Sequence, residues 1–278
     1  MNDQMRSFED KLALAEKKDT DAMCWIAYRY MLGQDGLPKD VRRAMDWYEK
    51  AAQAGHADAQ NYVGHCYENG LSGYTRDLQQ AAVWYGKAAE QGNKDAEESG
   101  TDLAAGEFEK AENGDPEAQW FIGWIYLSSN NVTEGVQYYT LSANNGYVRA
   151  QYEIGNFYQY GTYGLLKDPV KAVEFYQKAA AQGHPEAQNN LGQMLYNGYY
   201  AGGKMIADAK EAVRWFTEAA KQGCALAMFN LGTCFYNGHG TIRLMDAARK
   251  WWTDAAERGH APAADALRKL NQIQYGRK

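Results

Sequence analysis

The segment that comes nearest to a nucleotide-binding motif is glycine-rich and covers residues 198–205. In a phosphate-binding loop, backbone N–H groups surround the phosphates, a lysine neutralises them, and the Ser or Thr after that lysine holds magnesium. Here Met205 follows the Gly203-Lys204 pair, and no strand pattern precedes the segment. We therefore predict a turn between two helices at this position, and no nucleotide site.

The five histidines and four cysteines are the candidates for metal binding. Zinc sites need ligands at short and regular spacings, and the chain has neither an HExxH pair nor a Cys/His cluster. His56, His184 and His260 instead follow a glycine at the same position of a recurring segment. We predict that these histidines are structural and that the chain binds no metal and no cofactor.

The serines also lack the neighbouring residues that would activate them as catalytic nucleophiles. An acyl-transfer site of the β-lactamase type needs a lysine three residues after its serine, and no serine of this chain has one. Spacing does not exclude a Ser–His–Asp arrangement assembled by the fold, but no motif indicates one. We predict that the protein is not an enzyme, with a peptidoglycan-related hydrolase as the alternative.

Composition and charge argue against several kinds of partner. The net charge is −6, whereas the phosphates of nucleic acids and anionic lipids attract basic surfaces. No apolar run reaches the roughly 18 residues that span a bilayer, and the first residues lack the pattern of a secretory signal. We expect a cytoplasmic protein that binds neither nucleic acid nor membrane. Its four cysteines would then be free thiols, with a Cys224–Cys234 bridge as the alternative.

The chain contains six copies of a segment of about 37 residues, and these copies determine where the histidines, cysteines and glycines discussed above are placed. In each copy a first helical pattern, helix A, places an alanine, an aliphatic residue, a small residue and an aromatic or leucine on one face. The small residue, taken as position zero, is Ala27, Gly64, Gly123, Gly155, Gly192 or Gly232. A second pattern, helix B, has an aromatic pair, then alanine and a terminal glycine. Glycine inside a helix costs about 1 kcal/mol relative to alanine, so its recurrence at position zero predicts close helix packing.

This pattern resembles the Sel-1-like repeat (SLR) family, which is related to tetratricopeptide repeats. The family pattern is matched in the second copy by Ala59, Val63, Gly64, Tyr67, Gly70, Asp77, Ala81, Trp84, Tyr85, Lys87, Ala88, Ala89 and Gly92. The resemblance implies an all-α fold, a right-handed α/α superhelical solenoid that mediates protein–protein contacts, commonly in bacteria. It implies no catalytic residues.

The third and second copies are separated by an interruption at residues 93–115. Its alanines fall in register with both helices of a repeat, but the intervening loop and the aromatic pair are missing. We predict one fused helix at 94–113, which acts as an internal cap. Two further capping helices are predicted, at 8–18 and 261–275. The resulting lobes are 1–93, with two repeats, and 94–278, with four, and a kink or break is expected between them.

The candidate binding surface is the stripe of helix A at positions −3, +1 and +4, roughly opposite the packing stripe. Helix A is expected to line the concave face of such a solenoid. Aromatic and amide side chains without charge are typical of binding hot spots. The predicted partner-binding residues are Trp120, Trp124, Tyr152, Asn156, Gln159, Asn189, Gln193, Tyr196, Phe229 and Tyr236. The alternative, open above all for Trp120 and Trp124, is that the aromatics pack between successive A helices.

The sequence therefore predicts a non-enzymatic scaffold that binds a protein partner in the concave groove. The family resemblance suggests a narrower alternative, a bacterial immunity protein that neutralises a cognate secreted toxin. A third alternative is a structural homo-oligomer in which the aromatic stripe is self-complementary. The expected state is a monomer or a weak homo-oligomer.

Overall fold

The computed structural model describes the backbone of residues 3–275 and the side chains of residues 8–272. Within that range the chain forms fifteen helices and one two-stranded hairpin, which confirms the predicted all-α repeat fold. The elements are α1 (Asp3–Glu16), α2 (Thr20–Leu32), α3 (Val41–Gln53), α4 (Ala57–Asn69), α5 (Leu78–Ala89), α6 (Lys94–Glu112), α7 (Pro116–Ser128), α8 (Val132–Asn144), α9 (Val148–Tyr160), α10 (Pro169–Ala181), α11 (Pro185–Asn197), β1 (Tyr199–Ala201), β2 (Lys204–Ile206), α12 (Ala209–Lys221), α13 (Ala225–Asn237), α14 (Met245–Glu257) and α15 (Ala261–Tyr275).

The helices alternate between the two predicted kinds. The A helices are α2, α4, α7, α9, α11 and α13, and the B helices are α3, α5, α8, α10, α12 and α14. Each A helix packs on the B helix of its own repeat, and the chain divides into two compact units, one up to Glu109 and one from Lys110. The lobes predicted to meet at residue 93, and the kink between them, remain predictions.

The three predicted capping helices are present. The interruption forms one continuous helix, α6, of 19 residues. Near the N-terminus, the ring of Phe8 in α1 lies 6.4 Å from Trp25 and 6.1 Å from Tyr30, so α1 covers the first repeat. At the other end α15 covers α14 with Ala263 and Leu270, which are buried. The two end helices, α1 and α15, shield apolar faces that a terminal repeat would otherwise expose.

Local signals in the sequence set where the B helices begin and end. Asp40, Asp77 and Asp208 each accept a hydrogen bond from the backbone N–H three residues ahead, at 2.9–3.0 Å, which fixes the first turn of a B helix. Every B helix is followed by a glycine with positive φ, between 82° and 98°. Only glycine adopts this left-handed conformation without steric cost, so the terminal glycines stop the helices as predicted.

Position zero of helix A is where the A and B helices approach most closely. The second aromatic of the helix B pair lies over the glycine, so that an added Cβ would stand 2.5–2.9 Å from ring atoms of Tyr85, Tyr139, Tyr176, Phe216 or Trp252. Tyr85 and Tyr176 are among the largest fully buried side chains. The glycine therefore makes room for an aromatic ring, which confirms the close packing predicted from its recurrence.

The first aromatic of each pair has a different role. It is half-buried in five of the six repeats, and Phe175 is the buried exception. In the first two repeats a lysine covers it: the ammonium of Lys50 is 4.3 Å from the Trp47 ring centroid and that of Lys87 is 4.2 Å from Trp84. Such a contact contributes about 0.5–1 kcal/mol at an exposed site. In most repeats the second aromatic is therefore buried in the core and the first lies at the edge of the core.

Candidate partner-binding site

Residues at position −3 of the A helices pack against the next repeat. Trp120 is 2% exposed, and its Nε1–H donates to Glu153 Oε2 at 2.9 Å. The guanidinium of Arg149 lies 4.1 Å from its ring centroid. Trp120 therefore joins α7 to α9. It packs between successive A helices, which is the alternative to partner binding given in the sequence analysis.

The other −3 residues have the same kind of environment. The Tyr152 ring stacks on His184 at 4.6 Å, and the Phe229 ring lies 4.8 Å from His260. Asn189 is 2% exposed and hydrogen-bonded on both sides of its amide. Four of the ten predicted binding residues thus connect successive repeats. Trp120 and Asn189 offer a partner little surface, whereas Tyr152 and Phe229 stay half-buried.

Positions +1 and +4 carry the other six predicted residues, all of which stay partly open to solvent. We call this set the A-helix strip: Trp124, Asn156, Gln159, Gln193, Tyr196 and Tyr236, all half-buried. Its anchor residues are held in place, since Trp124 stacks on Phe121 at 5.9 Å and Tyr196 lies 4.5 Å from His239. The strip carries no charged side chain and lies wholly within the unit from Lys110.

The amides of the strip belong to a network that the sequence did not predict. The Tyr176 hydroxyl, at the end of the ring that covers Gly155, donates to Asn156 Oδ1 at 2.7 Å and also contacts Gln159. Asn190 Nδ2 donates to the same Asn156 oxygen at 3.3 Å. Burial raises the pKa of Tyr176, so the phenol stays a neutral donor. The recurrence of asparagine at position −2, at 190 and 230, was the available signal.

A cleft beside the β1–β2 hairpin adjoins the strip. It has a volume of about 300 Å³ and is lined by Gln159, Lys167, Gln193, Asn197, Tyr199 and Tyr200 among others. It opens beside the β1–β2 hairpin, in which Tyr199 pairs with Ile206 and Ala201 with Lys204. The glycine-rich segment predicted as a turn is thus a short hairpin. Lys204 lies in a strand rather than at a helix start, so it does not form a phosphate-binding loop.

A larger cleft, of about 860 Å³, lies in the unit up to Glu109. No sequence motif indicated this cleft, because its wall is formed by α3 and the loop at 70–77. Tyr74 donates to Glu49 there, and Arg76 pairs with Glu107 at 3.4 Å. These groups hold the loop in place. The described residues contain no group of three or more His, Cys, Asp or Glu side chains arranged to hold a metal ion.

All four cysteines carry free thiols. Burial raises the pKa of Cys24 and of Cys234 to about 12. A thiol reacts as its thiolate, so these two side chains are unreactive at neutral pH. Across residues 3–275 no helix combines the length and the apolar character needed to cross a membrane.

His184 has a structural role that makes stability depend on pH. Its Nδ1 accepts from the N–H of Ala187 at 3.4 Å, which caps α11, and its ring stacks on Tyr152. Burial lowers its pKa from the usual 6.5, and Arg149 acts in the same direction against Glu186 and Glu153. A histidine whose pKa is lowered by folding favours the folded state above the unfolded pKa and opposes it as the pH falls.

We therefore expect the free energy of unfolding to fall as the pH drops below about 6.5. Asparagine at this position keeps a capping acceptor, as Asn93 does for Ala96 at 2.9 Å. His184→Asn should accordingly flatten the decline between pH 7 and pH 5, measured by urea unfolding at each pH. Equal slopes for His184→Asn and wild type would contradict this role.

Comparison with known proteins identifies the repeat. A family model described as Sel1 repeat matches residues 20–56, 57–93, 116–147, 148–184, 185–224 and 225–260. The DAP3-binding cell death enhancer 1 of Rattus norvegicus is 34% identical over 101 residues, which are 36% of this chain and 19% of that protein. This chain therefore spans about a fifth of the length of that curated relative.

Two solved structures align over nearly the whole chain, each with a TM-score of 0.54. One is c5321, a protective antigen present in uropathogenic Escherichia coli strains that displays an SLR fold; it is 29% identical over 96% of this chain and 52% of its own. The other is a Sel1 repeat protein from Oxalobacter formigenes, 25% identical over 95% of this chain and 80% of its own. With six matched segments that cover most of its length, this chain belongs to the Sel1 repeat family.

Proposed function

We propose that this chain is a non-enzymatic scaffold that binds one protein partner on the A-helix strip. Sel1 repeat proteins generally mediate protein–protein interaction, and the family is generally non-enzymatic. The observation that carries the assignment to this surface is the uncharged strip itself. Its tryptophan, tyrosines and amides are half-buried and fixed by contacts with neighbouring side chains.

The composition of the strip supports a protein partner over other ligands. The cores of protein interfaces are enriched in aromatic residues and depleted in charge. Rigid aromatic side chains also lose little conformational entropy on binding. Trp124 and Tyr196 are the candidates for hot spots, since tryptophan and tyrosine dominate measured hot spots. The narrower role of an immunity protein rests on the family resemblance alone.

The proposal is tested by affinity capture from a lysate of the source cells. We expect wild type to retain a partner and Trp124→Ala with Gln193→Arg to lose it, because the first change removes an anchor and the second places a charge on the strip. The matched control is Trp251→Ala with Gln177→Arg, which changes the same residue types on B helices α14 and α10.

Recovery of the partner should be unchanged with the control pair. Equal recovery with the strip pair, at a melting temperature within a few degrees of the control pair, would reject the strip as the binding surface. Light scattering on the purified wild type decides the homo-oligomer alternative. A dimer that the strip pair converts to a monomer would mean that the strip binds a second copy of the chain.

A further inference from the structure

Four amide side chains form a row across three successive A helices. The row consists of Asn156 on α9, Asn190 and Gln193 on α11, and Asn230 on α13. Hydrogen bonds join the helices along it: Asn190 Nδ2 donates to Asn156 Oδ1 at 3.3 Å, and Asn230 Nδ2 donates to the buried Asn189 at 2.9 Å. Asn189 in turn donates to Asn190 at 3.2 Å. The amide row is therefore ordered before any partner arrives.

The amide row keeps hydrogen-bonding capacity that the protein does not use. A primary amide offers two N–H donors and a carbonyl oxygen that can accept twice. Among residues 8–272, Gln193 has no hydrogen-bond partner, Asn156 Nδ2 donates to no group, and Asn230 Oδ1 accepts from none. All four residues are half-buried. The row thus presents donors and acceptors at fixed positions on an uncharged surface.

Donors and acceptors that alternate without charge match the main chain of a peptide. Each residue of an extended segment carries one N–H and one C=O that must be paired when water is displaced. An α-helix has already satisfied these groups internally. If a helix docked on the row, it would leave the amides unpaired at a cost. An extended segment pairs with them.

We infer that the amide row binds an extended segment of the partner through its main chain. The inference rests on the proposed function and specifies how the partner is recognised. Since neither the row nor the A-helix strip is charged, binding depends little on salt. Tyr196, one turn of helix from Gln193, lies beside the row and contacts the segment's apolar side chains.

The test uses a phage-displayed library of linear twelve-residue peptides, selected on the full chain and counter-selected on Gln193→Arg. Peptides that bind are synthesised and titrated by fluorescence anisotropy. Gln193→Ala should weaken them about two- to tenfold, the range expected for one neutral hydrogen bond. Gln177→Ala, an exposed glutamine on helix α10, should leave affinity unchanged.

Peptide chemistry then separates main-chain recognition from side-chain recognition. N-methylation at the central residues removes backbone donors, and at one or more of them it should weaken binding at least tenfold. Raising the salt from 0.1 to 1 M should change affinity less than about twofold. Overturning results are the absence of any linear peptide that prefers wild type to Gln193→Arg, or peptides insensitive to every N-methylation.

The outcome also separates this inference from the proposed function. If the lysate partner is lost with the strip pair but no linear peptide binds, the strip recognises a folded surface and the extended-segment inference is wrong. If both experiments fail, the strip is not the binding surface.

Discussion

Gly64→Ala is expected to destabilise the protein, and Gly86→Ala to stabilise it, although both are glycine-to-alanine changes inside helices of one repeat. At Gly64 the new Cβ would stand 2.8 Å from Tyr85 Cδ1 and 3.3 Å from the backbone oxygen of Ala81. The Tyr85 ring is 1% exposed, and its hydroxyl donates to Glu68 at 2.6 Å. The ring therefore cannot swing aside, and overpacking of this kind costs about 1–3 kcal/mol.

Gly86 lies on the exposed side of α5, and an added Cβ there would meet nothing within 4 Å. Alanine at an open helix position is about 0.5–1 kcal/mol more stable than glycine. Urea unfolding followed by circular dichroism should shift the two midpoints in opposite directions from wild type. Shifts of the same sign would mean that position zero is not a close-packing site.

Gln188→Ala is expected to cost about 1–3 kcal/mol, because the buried Gln188 side chain joins α10, α11 and the end of α12. Its Nε2 donates to the backbone oxygen of Ala180 at 3.1 Å, and its Oε1 accepts from Gln222 Nε2 at 2.8 Å. Gln60, Gln119 and Gln151 make the same pair of bonds in their repeats. Alanine removes both bonds and leaves a cavity at a buried position, although the Ala180 carbonyl still accepts from the Gly183 N–H at 3.0 Å and the exposed Gln222 amide turns to solvent.

Gln188→Met separates hydrogen bonding from volume, since methionine is similar in size and already occupies this position at Met23 and Met228. If the hydrogen bonds dominate, Gln188→Met should lose nearly as much stability as Gln188→Ala. Gln177→Ala, on the exposed side of α10, should stay within about 0.5 kcal/mol of wild type. Full recovery of stability by methionine would show that packing alone matters at this position.

Features with a strict period were predictable from the sequence. The A and B helices, the terminal glycines and the fused helix α6 all follow from residues that recur at fixed spacing, and the structure confirms them. Close packing at position zero also follows, because glycine inside a helix is costly unless it makes room for another group. Each of these glycines has a single physical cause, a positive φ at the helix end or close packing at position zero.

The environment of position −3 was not predictable in the same way. Helical spacing gives the angle of a side chain around its own helix, but not which neighbouring helix covers it. Trp120 and Trp124 are four residues apart, and yet Trp120 is buried against Arg149 and Tyr147 while Trp124 stays half-exposed. The difference is set by the first turn of the next A helix, whose position depends on the loop before it.

The glutamine bonds and the β1–β2 hairpin were missed for different reasons. Glutamine recurs four residues before position zero in four repeats, so a signal existed, but it resembles an ordinary polar surface position. The hairpin is three residues long in each strand and occurs in one repeat, so it has no period. Its two-glycine turn was the cue for a reversal, as in other tight hairpins.

The most direct test of the account is hydroxyl-radical footprinting of the protein with and without its captured partner. In the unit from Lys110, tryptophan and tyrosine occur on both the A helices and the B helices, so one experiment reports the protection of both surfaces. We predict protection of Trp124, Tyr196 and Tyr236 on the A helices, with Trp215 and Trp251 on the B helices oxidised as in the free protein. Protection of Trp215 and Trp251, with the A-helix residues unchanged, would contradict binding on the A-helix strip.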